Sequence, residues 1–381
     1  MREKVLKWIV YIAGAACIYA FIAVRYEPLF NVIMWEKFLP EYWENTKYGE
    51  LYYFNFIRQF REEGLPKYIP KYRHTKKHPK IQDADILTFG DSFFDFSRMV
   101  TFPERLGDTL HKKVYYERFF DDHRPLVYLD KYHYVNKTPK LLIYESTERY
   151  IPFRFSRPHE TKYVPDPRSA FRKKIAGIRD WLFSKSTEVK YNALLTRSIF
   201  STHIYSAIAT LKFDAFGYIS SQTPLYALGY KDPWLFYWEE VDSTSSQGYY
   251  YKLSDEEINT YCDNIADLRS KLKKNYNLDM VFLPIPSKYT IYHKLINNDP
   301  YNNFLPRLYE GLARRGVPTI KLYDDYMNAT EVLYYGTDTH WNKKGIDIAL
   351  DKTVAYIENE QKNDYIALDS THNVNDKNLP E

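Results

Sequence analysis

Cysteine is nearly missing from this chain: 381 residues hold two, Cys17 and Cys262. Cys17 lies in an apolar N-terminal segment, so the remainder has one cysteine and cannot form an internal disulfide. Location outside the cytoplasm is permitted, but no disulfide framework argues for it. An excess of one charge is also lacking, with 53 Lys+Arg against 49 Asp+Glu. Nucleic acid is therefore not expected as a partner, since its binders concentrate a clear positive excess. No internal repeat is visible. The nearest approach to a metal motif, His74-Thr75-Lys76-Lys77-His78, sits in a proline-flanked basic run with no accompanying carboxylates. No metal is expected there.

What the chain does hold is aromatic side chains, 38 tyrosines and 7 tryptophans among them. Aromatic faces suit sugar stacking, but aromatics are first of all core material. With 45% hydrophobic and 27% charged residues, most of the chain should fold. Its length suits one large domain with insertions, or two smaller ones.

One long apolar run stands out. No charge interrupts Trp8 to Val24, while Arg2, Lys4 and Lys7 precede it and Arg25 follows. The run approaches the roughly 20 residues of a spanning helix. Positive charge on its N-terminal side favours an N-inside orientation. Residues 1–25 are thus read as a single-pass anchor in the inner (cytoplasmic) membrane, with the rest extracytoplasmic. A cleaved signal peptide would have a shorter apolar region and a small-residue cleavage site, where this chain has Arg25-Tyr26-Glu27-Pro28. A lipoprotein signal could use Gly14 to Cys17, but Ile18–Val24 continues apolar.

Residues 26–81 read as an aromatic helix and a basic linker. Glu41 to Glu63 carries Leu51, Phe54, Ile57 and Phe60 at helical spacing, and Pro66 to Pro79 is rich in Lys and Arg. A globular domain is expected over 82–358. Ile86–Phe89, Val114–Phe120, Leu141–Tyr144, Met280–Ile285 and Thr319–Tyr323 read as strands. Asp255–Asn275 reads as a helix capped by Ser254 with Glu257, Asn303–Arg315 as one closed by Gly316, and Asn342–Ile357 as the last. Alternating strands and helices predict an α/β fold, a central parallel sheet between two helical layers. The stretch 152–251 breaks the alternation with helices at Ser169–Phe183 and Glu188–Phe213 and an aromatic loop at Tyr226–Tyr251, and reads as an insertion. Residues 359–381 are polar and expected to be disordered.

Two short motifs carry chemistry. Gly90-Asp91-Ser92 follows the first apolar strand, and Asp338-Thr339-His340-Trp341 precedes the last helix. A serine hydroxyl needs an adjacent base held by a carboxylate. On a strand-to-helix turn its oxygen is exposed beside free backbone N–H groups that can stabilise an oxyanion. In an extended segment, residues two apart point to the same side, so Asp338 can hold His340. Ser92, His340 and Asp338 are the expected catalytic residues. The blander reading makes Ser92 a helix cap and His340 a satisfied structural histidine. Such a relay needs no cofactor, and none is expected.

These motifs resemble those of the SGNH (GDSL-type) hydrolase superfamily. Asp338-Thr339-His340-Trp341-Asn342 is similar to the Asp-x-His-Trp signature of its polysaccharide O-acetyltransferase branch, which includes the alginate acetylation proteins and the D-alanyl transfer protein of teichoic acids. Softer matches are Glu148-Arg149 and Pro286-Ser287-Lys288-Tyr289. In the alginate proteins the Asp-x-His element precedes the serine; here it follows. The superfamily's Gly-x-Asn-Asp block is absent, and Tyr144 to Arg149 stands at the expected strand end. The Ser92 N–H with Arg149 or Ser146 is expected to serve the oxyanion, and Lys288 the substrate. The resemblance implies a membrane-anchored serine acyltransferase acting on an exported polysaccharide, with a multi-span membrane acyltransferase as acyl donor. The alternatives are an acetylesterase or lipase of the same fold, or a non-catalytic glycan-binding subunit using Trp234, Phe236, Tyr237 and Trp238 as a sugar platform.

Overall fold

A computed structural model describes residues 2–26, 29–30, 49–61, 79–94, 101–119, 124–136, 140–164, 167, 169–183, 185–197, 201–226, 234–245, 248–249, 251–296 and 300–375. The chain opens with α1 (Arg2–Arg25). Its Lys4–Arg25 stretch is long and apolar enough to cross a membrane, and it is exposed along most of its length, with only its end at Ala23 and Val24 buried against the protein. The short α2 (Tyr52–Asn55) and a 3-10 turn at Arg58–Phe60 follow. Of the amphipathic helix expected over Glu41 to Glu63, residues 41–48 and 62–63 lie outside the described residues; within 49–61, Phe56 adopts a left-handed conformation with φ 57° and separates the two turns. Leu51, Ile57 and Phe60 are nevertheless buried, whereas Phe54 is exposed. The basic stretch that holds His74 and His78 lies outside the described residues, apart from its end at Pro79.

The domain proper begins with β1 (Ile86–Gly90), α3 (Phe102–Leu110), β2 (Val114–Arg118), α4 (Pro125–Lys131), β3 (Lys140–Thr147) and α5 (Ile151–Phe155). Three helices of the insertion follow: α6 (Ala170–Phe183), α7 (Lys185–Arg197) and α8 (Ser201–Phe216). Where a single helix was expected over Glu188–Phe213, two are present. The aromatic loop contributes β4 (Leu225–Tyr226), its antiparallel partner β5 (Trp234–Leu235), and α9 (Trp238–Val241).

The fold closes with α10 (Asp255–Tyr276), β6 (Leu278–Ile285), α11 (Lys288–Ile296), α12 (Phe304–Arg314), α13 (Tyr323–Met327) and α14 (Lys343–Asn375). The capping box between Ser254 and Glu257 forms as the sequence predicts. Thr319–Tyr323 is not a full strand: it makes a single parallel bridge, Phe282 to Thr319, before α13 begins. The helical backbone of α14 runs to Asn375, past the expected boundary at 358. Helix extension costs little once the first turn is fixed, and Asn342 caps that turn by accepting from Lys344 N at 2.8 Å.

The main sheet is parallel, in the order β2-β1-β3-β6. Its central strands β1 and β3 and the strand β6 are almost wholly buried, while β2 at one edge is half-buried. That suits a parallel sheet covered by helices, whose strands read as apolar runs. From β1 the chain crosses to β2 on one side; from β3 it crosses to β6 on the other. Right-handed crossovers then put α3 on one face and α10 on the opposite one. The connections diverge between β1 and β3, which opens a crevice beyond the carboxyl ends of those two strands. Gly90-Asp91-Ser92 and Thr147-Glu148-Arg149 occupy those ends.

Candidate active site

The turn after β1 is fixed by buried carboxylates. Asp91 N–H donates to Glu145 Oε2 at 2.7 Å. The Asp91 side chain accepts from Phe93 N at 2.9 Å, Thr147 Oγ1 at 2.7 Å and Arg154 Nη2 at 2.9 Å. Gly90 is required for space: a Cβ there would lie 2.4 Å from Glu145 Oε2 and 2.9 Å from Phe94. Burial pushes the Glu145 carboxyl well above the ordinary range, and the charge of Asp91 adds to it. The arrangement holds Ser92 half-exposed at the crevice. Among the described residues its own N–H has no hydrogen-bond partner, which leaves it free to meet a developing oxyanion.

The loop Leu333 to Asn342 brings the second motif to the same place. Asn342 N donates to Leu333 O at 2.8 Å and Tyr335 N to His340 O at 3.2 Å. His340 Nε2 lies 2.8 Å from Ser92 Oγ, and its Nδ1 lies 2.6 Å from Asp338 Oδ1. Asp338 Oδ1 also accepts from His340 N at 3.0 Å. Both residues are buried, and 248 positions of chain separate the serine from the histidine it meets. With Nδ1 donating to the carboxylate, Nε2 is left as the acceptor for the serine proton.

Sequence reasoning missed Glu50. Its backbone N–H donates to Asp338 Oδ2 at 2.9 Å, so both oxygens of that carboxylate are engaged. Its own carboxylate accepts from Thr339 Oγ1 and lies 3.7 Å from His340 Nδ1. Leu51 N donates to Thr337 O at 3.1 Å, and a Cβ on Gly49 would fall 1.8 Å from that carbonyl. Gly49 is thus required by a backbone-to-backbone approach. Burial works against a charge on His340, but Glu50 and Asp338 outweigh it and raise its pKa above the ordinary imidazole value. Glu50, Asp338 and His340 also form a group close enough to hold a cation. His340 Nδ1 is committed to Asp338, however, and the geometry reads as a proton relay.

The remaining expected site residues divide. Arg149 is buried, ion-paired with Glu240, and lies over the rings of Tyr150 and Tyr237. Its charge also reaches His340, where it opposes the two carboxylates. The other two expectations are corrected. Ser146 is fully buried behind Asp91 and accepts from Arg154 Nη1 at 2.7 Å, so its hydroxyl does not face the crevice. Lys288 is fully buried and its ammonium donates to Leu235 O at 2.7 Å, Gly336 O at 2.8 Å and Asp338 O at 3.0 Å. An ammonium has three donors, and those carbonyls use them. Lys288 therefore pins the Asp338 loop and has nothing left for a substrate. Of the four aromatics expected as a sugar platform, Trp234 and Phe236 are buried beneath that same ammonium, and Tyr237 and Trp238 are half-buried.

Residues 228–375 match the family model of an SGNH hydrolase-like domain, that of the acetyltransferase AlgX. The resemblance read from Asp338 to Asn342 is therefore found independently, over a stretch that includes His340 and Asp338 but not Ser92. The match supports a function of the acetyltransferase or esterase type. No curated protein matches. One solved crystal structure aligns at 12% identity and a TM-score of 0.30, over 73% of this chain and 97% of that one; a likeness at that level carries no argument.

Proposed function

We propose that this chain is a membrane-anchored, extracytoplasmic serine acyltransferase that O-acetylates an exported or cell-surface polysaccharide through an acyl-serine intermediate. The observation that carries the reading is the contact of 2.8 Å between His340 Nε2 and Ser92 Oγ, backed by the 2.6 Å contact of Nδ1 with Asp338.

His340 takes the Ser92 proton as Oγ attacks the acyl carbonyl. The oxyanion forms beside the Ser92 N–H, in the field of Arg149. Collapse expels the donor's leaving group, which receives the proton from His340. In the second half the base takes a proton from a sugar hydroxyl, that oxygen attacks the acyl-serine, and Ser92 is regenerated. Asp338 keeps the ring oriented and its tautomer fixed throughout. Water in place of the sugar would make the same steps those of an esterase.

Support for transfer over hydrolysis comes from the family match and from α1. An anchored domain outside the cytoplasm has no access to cytoplasmic acyl-CoA, so a multi-span membrane acyltransferase would supply the acyl group. The test is acetate release from an activated ester by the full chain in detergent, with and without an oligosaccharide acceptor followed by mass spectrometry. Acetyl groups on the sugar support transfer. Release without any sugar acetylation leaves an esterase, and turnover unchanged in Ser92→Ala removes the serine mechanism altogether.

A further inference from the structure

The insertion carries a feature that the catalytic reading does not use. Helix α6 is exposed around almost its whole described circumference. Phe171, Ile175 and Ile178 are 72%, 51% and 52% exposed. Their spacing of four and three, continued by Leu182, places all four side chains within an arc of roughly 60° on a 3.6-residue helix. Arg172 and Arg179 flank that arc on one side, Lys174 flanks it on the other, and Lys173 lies opposite; all four cations are exposed. An apolar stripe bordered by cations on both sides is how an interfacial helix meets lipid, with the stripe below the headgroups and long basic side chains reaching up to them.

The position of α6 identifies what covers it. Its C-terminal end is tied to the end of α1, because Arg25 Nη2 donates to Leu182 O at 2.8 Å. Arg25 Nη1 donates in turn to Tyr191 OH at 2.7 Å on α7, against which α1 packs. Helix α8, packed on the same α7, carries a second exposed apolar row in Ile204, Ile208 and Leu211. The stripe thus adjoins α1, the helix that, among the described residues, is long and apolar enough to span a bilayer.

We infer that α6 is a second membrane attachment, lying in the headgroup region of an anionic leaflet beside the outer end of α1 and holding the catalytic domain against the bilayer. The inference rests on α1 being a retained anchor. Along its 14 residues the helix would cover about 20 Å of membrane surface.

The test uses the full chain reconstituted in vesicles of phosphatidylcholine and phosphatidylglycerol. An environment-sensitive fluorophore is attached at Ile175→Cys or, as a control on the polar side, at Lys173→Cys, with Cys17 replaced by Ala. Cys262 is fully buried, and burial pushes its thiol up to about 11, so it stays unlabelled. The expected result is a blue-shifted emission at 175 that loses several-fold intensity to nitroxide-bearing lipid, with no such loss at 173. Vesicles that float with the protein while both positions stay quenchable by aqueous iodide would overturn the inference and leave the anchor standing. A chain that fails to float with the vesicles overturns the anchor reading and this one together. A blue shift at 175 that requires a co-reconstituted membrane protein assigns the stripe to a protein partner and overturns the lipid assignment.

Discussion

Trp341 Nε1 donates to the backbone carbonyl of Phe93 at 3.1 Å, which ties the residue after His340 to the residue after Ser92. The indole is fully buried, edge-on to Phe93 and stacked near Phe102. The tryptophan of the Asp-x-His-Trp element therefore sets the distance between Ser92 and His340. Trp341→Phe keeps an apolar ring but leaves a void and an orphaned carbonyl. A stability loss of about 2 kcal/mol in chemical denaturation is expected. The rate should fall by more than that loss explains, since an ångström of misplacement costs on the order of 100-fold.

Glu50 is one of two carboxylates that favour a charge on His340. His340 must be neutral to accept the Ser92 proton, so activity should rise with pH through a midpoint above the ordinary imidazole value. Glu50→Gln removes one of the two carboxylates that raise that pKa. The acid limb of kcat/KM against pH should then move to lower pH, with the plateau little changed. A limb that stays in place would show that Glu50 does not act on His340 electrostatically.

Glu148 gives a stability signature at the neighbouring strand end. Burial pushes its carboxyl up to about 7, against hydrogen bonds from Tyr301, Ser287 and Thr290 that favour the charged form. A group with a raised folded pKa stabilises most below its unfolded value, and that contribution is lost as pH rises through the folded one. Wild-type stability relative to Glu148→Gln should therefore fall by about 3 kcal/mol between pH 4.5 and 8. Denaturant titrations at the two pH values measure it.

Lys288→Met removes three charge-assisted bonds, one to the Leu235 carbonyl of β5 and two to the Gly336 and Asp338 carbonyls of the loop that carries His340. A loss of about 3 kcal/mol or more is expected. If the lysine bound substrate instead, the change would appear mainly in KM with stability intact.

Much of this was legible in sequence because it rests on local chemistry. Burial on both faces makes β1 an apolar run, and Asp338 and His340 lie two apart, so one extended segment aligns them. Glu50 was not legible, since its role arises from a backbone pairing of Gly49–Leu51 with Thr337 across the whole chain. The expected helix there failed at Phe56, whose left-handed φ no periodicity announces. Lys288 reads as a substrate-binding lysine in the sequence because its carbonyl partners come from two other segments, at Leu235 and at Gly336–Asp338.

The most direct measurement is peptide mass spectrometry of the full chain after brief exposure to an activated acetyl ester. An acetyl group is expected on Ser92 that builds up in the absence of sugar, disappears when an acceptor oligosaccharide is added, and does not form in His340→Ala. Acetate release that persists in Ser92→Ala with no label at that position would contradict that expectation.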